Sequence, residues 1–120
     1  MAEVFLTTKV GDTTLRVIKS YGKREAQTAF DEMDSSARAF LQKSLKIEDL
    51  YEDLPTDPFE LDDLLWEEML EGAAEDPRLG PGSQMSFFIV RPFEKGKKPQ
   101  DLFVSPDWPT AEAYVQQIVA

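Results

Sequence analysis

Two stretches near the start of the chain, Glu3 to Val10 and Thr13 to Ser20, are rich in Val, Phe, Leu, Ile and Thr, and Gly11-Asp12 separates them. β-Branched and aromatic residues suit a pleated surface and Gly-Asp supplies turn chemistry, so the pattern predicts a β-hairpin. In the second arm Leu15, Val17 and Lys19 fall on one side and Arg16, Ile18 and Ser20 on the other. That alternation is imperfect and leaves the core face open.

Beyond Tyr21-Gly22 the period changes. Ala26, Ala29, Phe30, Met33, Ala37, Phe40, Leu41 and Leu45 recur at spacings of three and four, the stripe of an amphipathic helix. Asp34-Ser35-Ser36 lies inside it, and such side chains compete for backbone hydrogen bonds and favour caps. The prediction is one long helix or two short ones meeting there. Ile47, Leu50, Tyr51 and Leu54 hold helical spacing up to Pro55, which suits a short helical turn or an ordered connector. Asp57-Pro58-Phe59-Glu60 then combines an N-cap, a proline at the first helical position and a carboxylate in the first turn. A helix from about Pro58 to Glu71 follows, with Gly72 as its terminator.

Ala73 to Gln84, with Gly80-Pro81-Gly82-Ser83, reads as a loop and the best hinge in the chain. Met85 to Phe93 is almost continuously apolar, as expected of a strand buried on both faces, and Pro92 should end it near Arg91. Glu94 to Gln100 reads as an exposed turn and Asp101 to Ser105 as a short strand. Asp107-Trp108-Pro109-Thr110 opens a closing helix striped by Ala111, Tyr114, Val115 and Ile118. The expected class is α+β: two β-hairpin-plus-helix units forming a four-stranded, mainly antiparallel sheet, with helices on one face and an acidic helical insert. Likeness between the two units is slight, confined to Glu25-Ala26 and Glu112-Ala113 opening similar helices.

At 120 residues the chain fits a single domain, 1–120, with 46–76 as an acidic helical segment within it. It has no cysteine, which removes disulfides, thiolate catalysis and Cys-based metal sites together. It has no histidine either, and so lacks the usual general base near neutral pH and the commonest transition-metal ligand. Met1-Ala2-Glu3-Val4-Phe5-Leu6 has neither a basic region nor a long apolar run, which leads us to expect a cytoplasmic protein with no membrane association.

Charge alters this picture most. Glu48 to Asp76 holds thirteen of the 23 carboxylates and none of the 13 Lys and Arg residues, while the whole chain carries a net charge of −10. The rest of the chain is therefore slightly basic. A helical wheel gathers Glu60, Asp63, Glu67, Glu71 and Glu75 in one sector and Leu61, Leu65, Met69 and Ala73 in another. Leu64 intrudes on the acidic side, Trp66 and Leu70 flank the apolar one, and Asp62 falls near the apolar stripe. A merely solvated acidic face would account for the acids. Against it stands the lack of any Lys or Arg, since a helix built for stability intersperses cations and unrelieved like charges repel by a few tenths of a kcal/mol per pair, about.

Phosphate affinity comes from Lys and Arg, so direct nucleic-acid binding by this segment is not expected. A basic protein surface is the partner such a field attracts. Carboxylates about 5 to 6 Å apart along a helix compare with phosphates about 3.4 Å apart along a strand, taken two at a time. An acidic inhibitor or neutraliser that mimics nucleic-acid charge against a nucleic-acid-binding enzyme is thus the leading expectation. Its partner-binding residues would be Asp57, Glu60, Asp63, Leu64, Trp66, Glu67 and Glu71, with Leu64 and Trp66 as apolar anchors. The alternative is a structural or assembly factor, a homo-oligomer pairing through sheet edges or exposed aromatics, in which acidity serves solubility.

No enzyme site, metal site or cofactor is expected. A Ca²⁺ loop from Asp57 fails because Phe59, Leu61 and Asp62 stand where oxygen ligands and a glycine are needed. Asp62, Asp63 and Glu67 offer at most a weak divalent-ion contact. Gly80-Pro81-Gly82-Ser83 precedes a strand instead of opening a helix, unlike a phosphate cradle, and no nucleophile elbow or dinucleotide fingerprint occurs. Lys95, Lys97 and Lys98, with Phe93 and Phe103 nearby, form a basic cluster that suits a solvated turn better than an RNA contact. Trp108 is expected to cover the end of the sheet.

Overall fold

A computed structural model describes residues 2–73 and 85–119. The expected loop and hinge at Gly80-Pro81-Gly82-Ser83, together with Glu75 and Asp76, lies outside the described residues. The elements run β1 (Ala2–Val10), β2 (Thr13–Ser20), α1 (Lys23–Glu32), α2 (Ser35–Ser44), α3 (Ile47–Leu50), α4 (Pro58–Ala73), β3 (Phe87–Phe93), β4 (Phe103–Ser105) and α5 (Trp108–Val119). The four strands form one antiparallel sheet in the order β1-β2-β3-β4. The fold is α+β, with five helices among the described residues about that sheet.

The local signals act where the chemistry places them. Gly11, at φ 61°, makes the two-residue turn between Val10 and Thr13. The long stripe divides into two helices because Asp34 caps α2, its Oδ1 accepting the Ala37 N–H at 2.8 Å. Arg38 closes the other side of that break. Its Nη2 donates to the Phe30 carbonyl at 2.7 Å and its Nε to the Met33 carbonyl at 3.2 Å, satisfying acceptors left open at the end of α1. Gly72 is not a terminator, for α4 continues through it to Ala73. A Cβ at Gly72 would stand 3.2 Å from the Pro106 ring, so the glycine permits a close approach. Ser86 N–H then donates to the Ala73 carbonyl at 3.1 Å, joining the end of α4 to the approach of β3. Strand β3 passes through Pro92, paired with Leu15, because β4 reaches only as far as Val90 and leaves that stretch without a second strand neighbour.

Register fixes the two faces of the sheet. Ser20, Ile18 and Arg16 oppose Phe87, Ile89 and Arg91. This face meets α1 and α4: Glu25 bonds both Ser20 and Arg91, and the Trp66 indole stacks over Phe87 with centroids 6.3 Å apart. On the other face Leu15, Val17 and Lys19 oppose Pro92, Val90 and Phe88, and Phe103 pairs with Val90. Helix α5 lies there, Tyr114 stacked on Phe103 at 4.2 Å and Trp108 tilted against Phe88 at 6.0 Å. Helices therefore cover both faces, which corrects the expectation of one covered face. The cause is β3, whose Phe87, Phe88, Ile89 and Val90 are all buried and need cover on both sides. It also explains the imperfect alternation of β2, where Leu15 and Val17 are buried on one face and Ile18 and Ser20 on the other.

The two hairpins succeed one another in the same sense across the sheet, yet α1 and α5 lie on opposite faces. The chain is not clearly two copies of one hairpin-plus-helix unit. Phe87, Phe103, Leu41, Ile47, Leu65 and Met69 are the largest fully buried side chains and come from both halves. Each contributes about 1.5–3 kcal/mol by leaving water. Among the described residues no helix is long and apolar enough to cross a membrane.

Candidate functional site

The acidic segment is held to the core from its inner side. Ile47 is fully buried at the start of α3, entered through Lys46 in a left-handed conformation at φ 56°. On α4 the stripe Leu65, Met69 and Ala73, four residues apart, is buried. Leu61 is only half-buried at its beginning. Asp57 Oδ1 accepts the Phe59 N–H at 2.9 Å and its carbonyl accepts Leu61 N–H at 3.0 Å, so Asp57 caps α4 as its sequence context predicts. A capping carboxylate is a structural feature first, worth about 1 kcal/mol.

Three further carboxyl contacts tie the segment down. Arg38 Nη1 lies 3.1 Å from Asp62 Oδ1 without the alignment of a hydrogen bond, so the two interact through charge alone. That pairing accounts for an acid so near the apolar stripe. Tyr51 donates its hydroxyl to Glu68 Oε1 at 2.6 Å, and Gln42 donates to Glu48 Oε1 at 3.2 Å. The Glu68 hydrogen bond raises the Tyr51 pKa above its ordinary value; desolvation and the charges of Glu68, Glu67 and Glu71 push the same way.

The outer face is different. Glu60, Asp63, Glu67 and Glu71 are all exposed, and among the described residues none of them has an ion-pair or hydrogen-bond partner on a side chain. Phe59, Asp63, Glu67 and Glu71 follow one another every fourth residue and so share one ridge of the helix. Phe59 is 80% exposed and Leu50, at the end of α3, 58% exposed. Trp66 and Leu64 do not stand free as the expected anchors. Trp66 packs on Phe30 at 5.3 Å and stacks on Phe87, and Leu64 packs against the core cluster. Their contacts with α1 and β3 come from long-range packing that a helical wheel of α4 alone does not contain. Phe59 was overlooked because the Asp57-Pro58 start marks it as a first-turn residue and says nothing of what covers it.

A second polar cluster went unread in the sequence. Arg91 on β3 donates to both oxygens of Asp101, at 2.5 and 3.1 Å, and to Glu25 Oε1 at 3.3 Å. Glu25 Oε2 accepts from the Ser20 hydroxyl at 2.8 Å, and Glu32 Oε2 accepts the Asp101 N–H at 2.6 Å. The fork-shaped pairing with Asp101 raises the Arg91 pKa against the opposing effect of burial. Asp101 is only 5% exposed. Every charge in this cluster has a counter-charge or donor, so it acts as a clip joining α1, β2, β3 and the approach to β4. A cavity of about 330 Å³ beside it is lined by Glu32, Asp34, Glu94, Lys97, Lys98 and Asp101 among others, carboxylates and ammonium groups mixed. Lys97 pairs with Glu94 at 2.8 Å, and Phe103 is wholly buried, which withdraws that ring from the basic cluster. Among the described residues no group of His, Cys, Asp or Glu is placed to hold a metal ion.

Compared with protein-family models, with curated proteins and with solved structures, the chain matches none.

Proposed function

We propose that this chain is a non-enzymatic interaction protein whose α4 outer face binds a basic protein surface. The observation that supports the reading most is the exposed ridge of Asp63, Glu67 and Glu71 headed by Phe59, beside Glu60, with no ion-pair partner among the described residues. A basic partner would relieve the mutual repulsion of the acids while Phe59 and Leu50 supply apolar contact at its margin. An inhibitor or neutraliser that presents nucleic-acid-like charge to a nucleic-acid-binding enzyme is the specific form this activity takes. In it the protein makes no nucleic-acid contact of its own.

Affinity capture from host lysate at low and high salt tests the reading, with the chain compared to a variant carrying Gln at Glu60, Asp63, Glu67 and Glu71. The expected result is a basic partner retained at low salt, released at high salt and lost in the variant. Undiminished capture by the variant would overturn it.

A further inference from the structure

The exposed apolar side chains away from α4 gather at the opposite edge of the sheet. β1 is an edge strand, with β2 as its only strand neighbour among the described residues, and it carries Val4 at 60% and Phe5 at 49% exposure. Val119, 48% exposed, ends α5 close by. Between β1 and α5 runs an open groove of about 400 Å³, lined by Leu6, Thr7 and Thr8 from the strand and by Val115, Gln116 and Val119 from the helix, with the Glu112 carboxylate as its one charged group. An edge strand offers a row of unpaired backbone groups, and a groove beside it gives the side chains of an added strand somewhere to go.

We propose that a second copy of this chain occupies this edge, pairing β1 with β1 antiparallel about a two-fold axis at Thr8, so that two sheets join into one of eight strands. Two observations on the strand suit its own copy. The ladder shifts at Phe5, a bulge between Val4 and Leu6, so the regular part of β1 is Leu6 to Val10. Within that part Leu6 and Thr8 oppose Val17 and Leu15 on the α5 face, and Val10 shares their side, while Thr7 and Lys9 point the other way. Antiparallel pairing about Thr8 places Leu6 opposite Val10, Thr7 opposite Lys9 and Thr8 opposite Thr8. Every residue then meets one on its own face: apolar pairs and a threonine pair line the groove, and polar residues face water.

Charge favours the same choice. A protein of net charge −10 is repelled by its own kind except where a surface is locally balanced. The β1–β2 hairpin carries Glu3, Asp12, Lys9, Arg16 and Lys19, close to neutral, and β2 separates its edge strand β1 from β3, where α4 stacks on Phe87. Two-fold pairing would leave both acidic helices outward, making the proposed binding face bivalent.

Sedimentation over a range of concentrations tests the pairing on the whole chain, with a dimer of twice the 13.6 kDa chain mass expected. Thr7→Lys sets two lysines opposite each other in both halves of the ladder and is expected to weaken the dimer about tenfold. Adding Lys9→Glu to that variant restores an opposite-charge pair and is expected to recover most of the loss. Both positions are exposed, so the fold is not at stake. As the chain has no cysteine, Thr8→Cys supplies a separate reading: mild oxidation should link two copies covalently. A chain that stays monomeric at high concentration, with no covalent link at Thr8→Cys, would overturn the proposal. A dimer indifferent to Thr7→Lys would remove the β1 interface.

Discussion

The molecule uses carboxylates in two opposite ways. In the Arg91 clip, Asp101, Glu25 and Glu32 converge on one guanidinium, a hydroxyl and a backbone N–H. On the outer ridge of α4, Glu60, Asp63, Glu67 and Glu71 converge on nothing within the described chain. The first group is gathered from sequence-distant elements and locks them together. The second is laid out locally by a single helix and joins no other element among the described residues. In the proposed function, the acids left without a partner on the described chain are the ones that meet a basic surface outside it.

The comparison breaks most readily at the clip. Asp101→Ala leaves the partly buried Arg91 guanidinium with Glu25 alone and should cost about 2–3 kcal/mol in urea unfolding, whereas replacing Arg91 and Asp101 together by Met and Leu should cost much less. An Asp101→Ala chain as stable as the parent would show that the cluster is not a clip. On α4 the sign reverses. The fourfold Gln variant should gain about 0.5–1 kcal/mol, as three like-charge contacts are relieved and a carboxylate favourable to the helix N-terminus is lost. Added salt should stabilise the parent more than that variant.

The smallest effect sharpens the boundary between the two groups. Glu68 belongs to the acidic helix yet is partnered, and its hydrogen bond holds the Tyr51 hydroxyl above its ordinary 10.0. The folded state therefore keeps that proton longer than the unfolded one. The stability it contributes is full below pH about 10 and is lost as pH rises through the raised value. Glu68→Gln should lower one tyrosine transition in an ultraviolet titration, and an unchanged titration would mean that the bond does not form in solution.

What could be read from the residues alone was local. Gly11-Asp12, Asp34, Asp57-Pro58 and the Leu65, Met69, Ala73 stripe each act within a few positions, and each marks the element it predicts. The exposed row on α4 was legible for the same reason, being set by helical periodicity. The covering of both sheet faces was legible only in the continuous apolar run of β3, because an imperfect alternation in β2 is equally the mark of an undecided face and of two buried ones. The clip was not legible, since Glu25, Glu32, Arg91 and Asp101 meet only after β2 pairs with β3. Gly72 misled because a glycine near a helix end suggests punctuation, while its neighbour Pro106 is distant in sequence.

The β2–β3 seam has a consequence for how the chain is made. Ser20 and Phe87 are bonded neighbours across the sheet, yet α1 to α4 and residues 74–84 lie between them in sequence. Loop-closure entropy falls on that one joint, whereas the β1–β2 turn and each helix close locally. The order of assembly this imposes puts the seam late. Until it forms, the apolar edge of β2 waits unpaired, the interval in which a newly made chain is most exposed to joining the wrong neighbour.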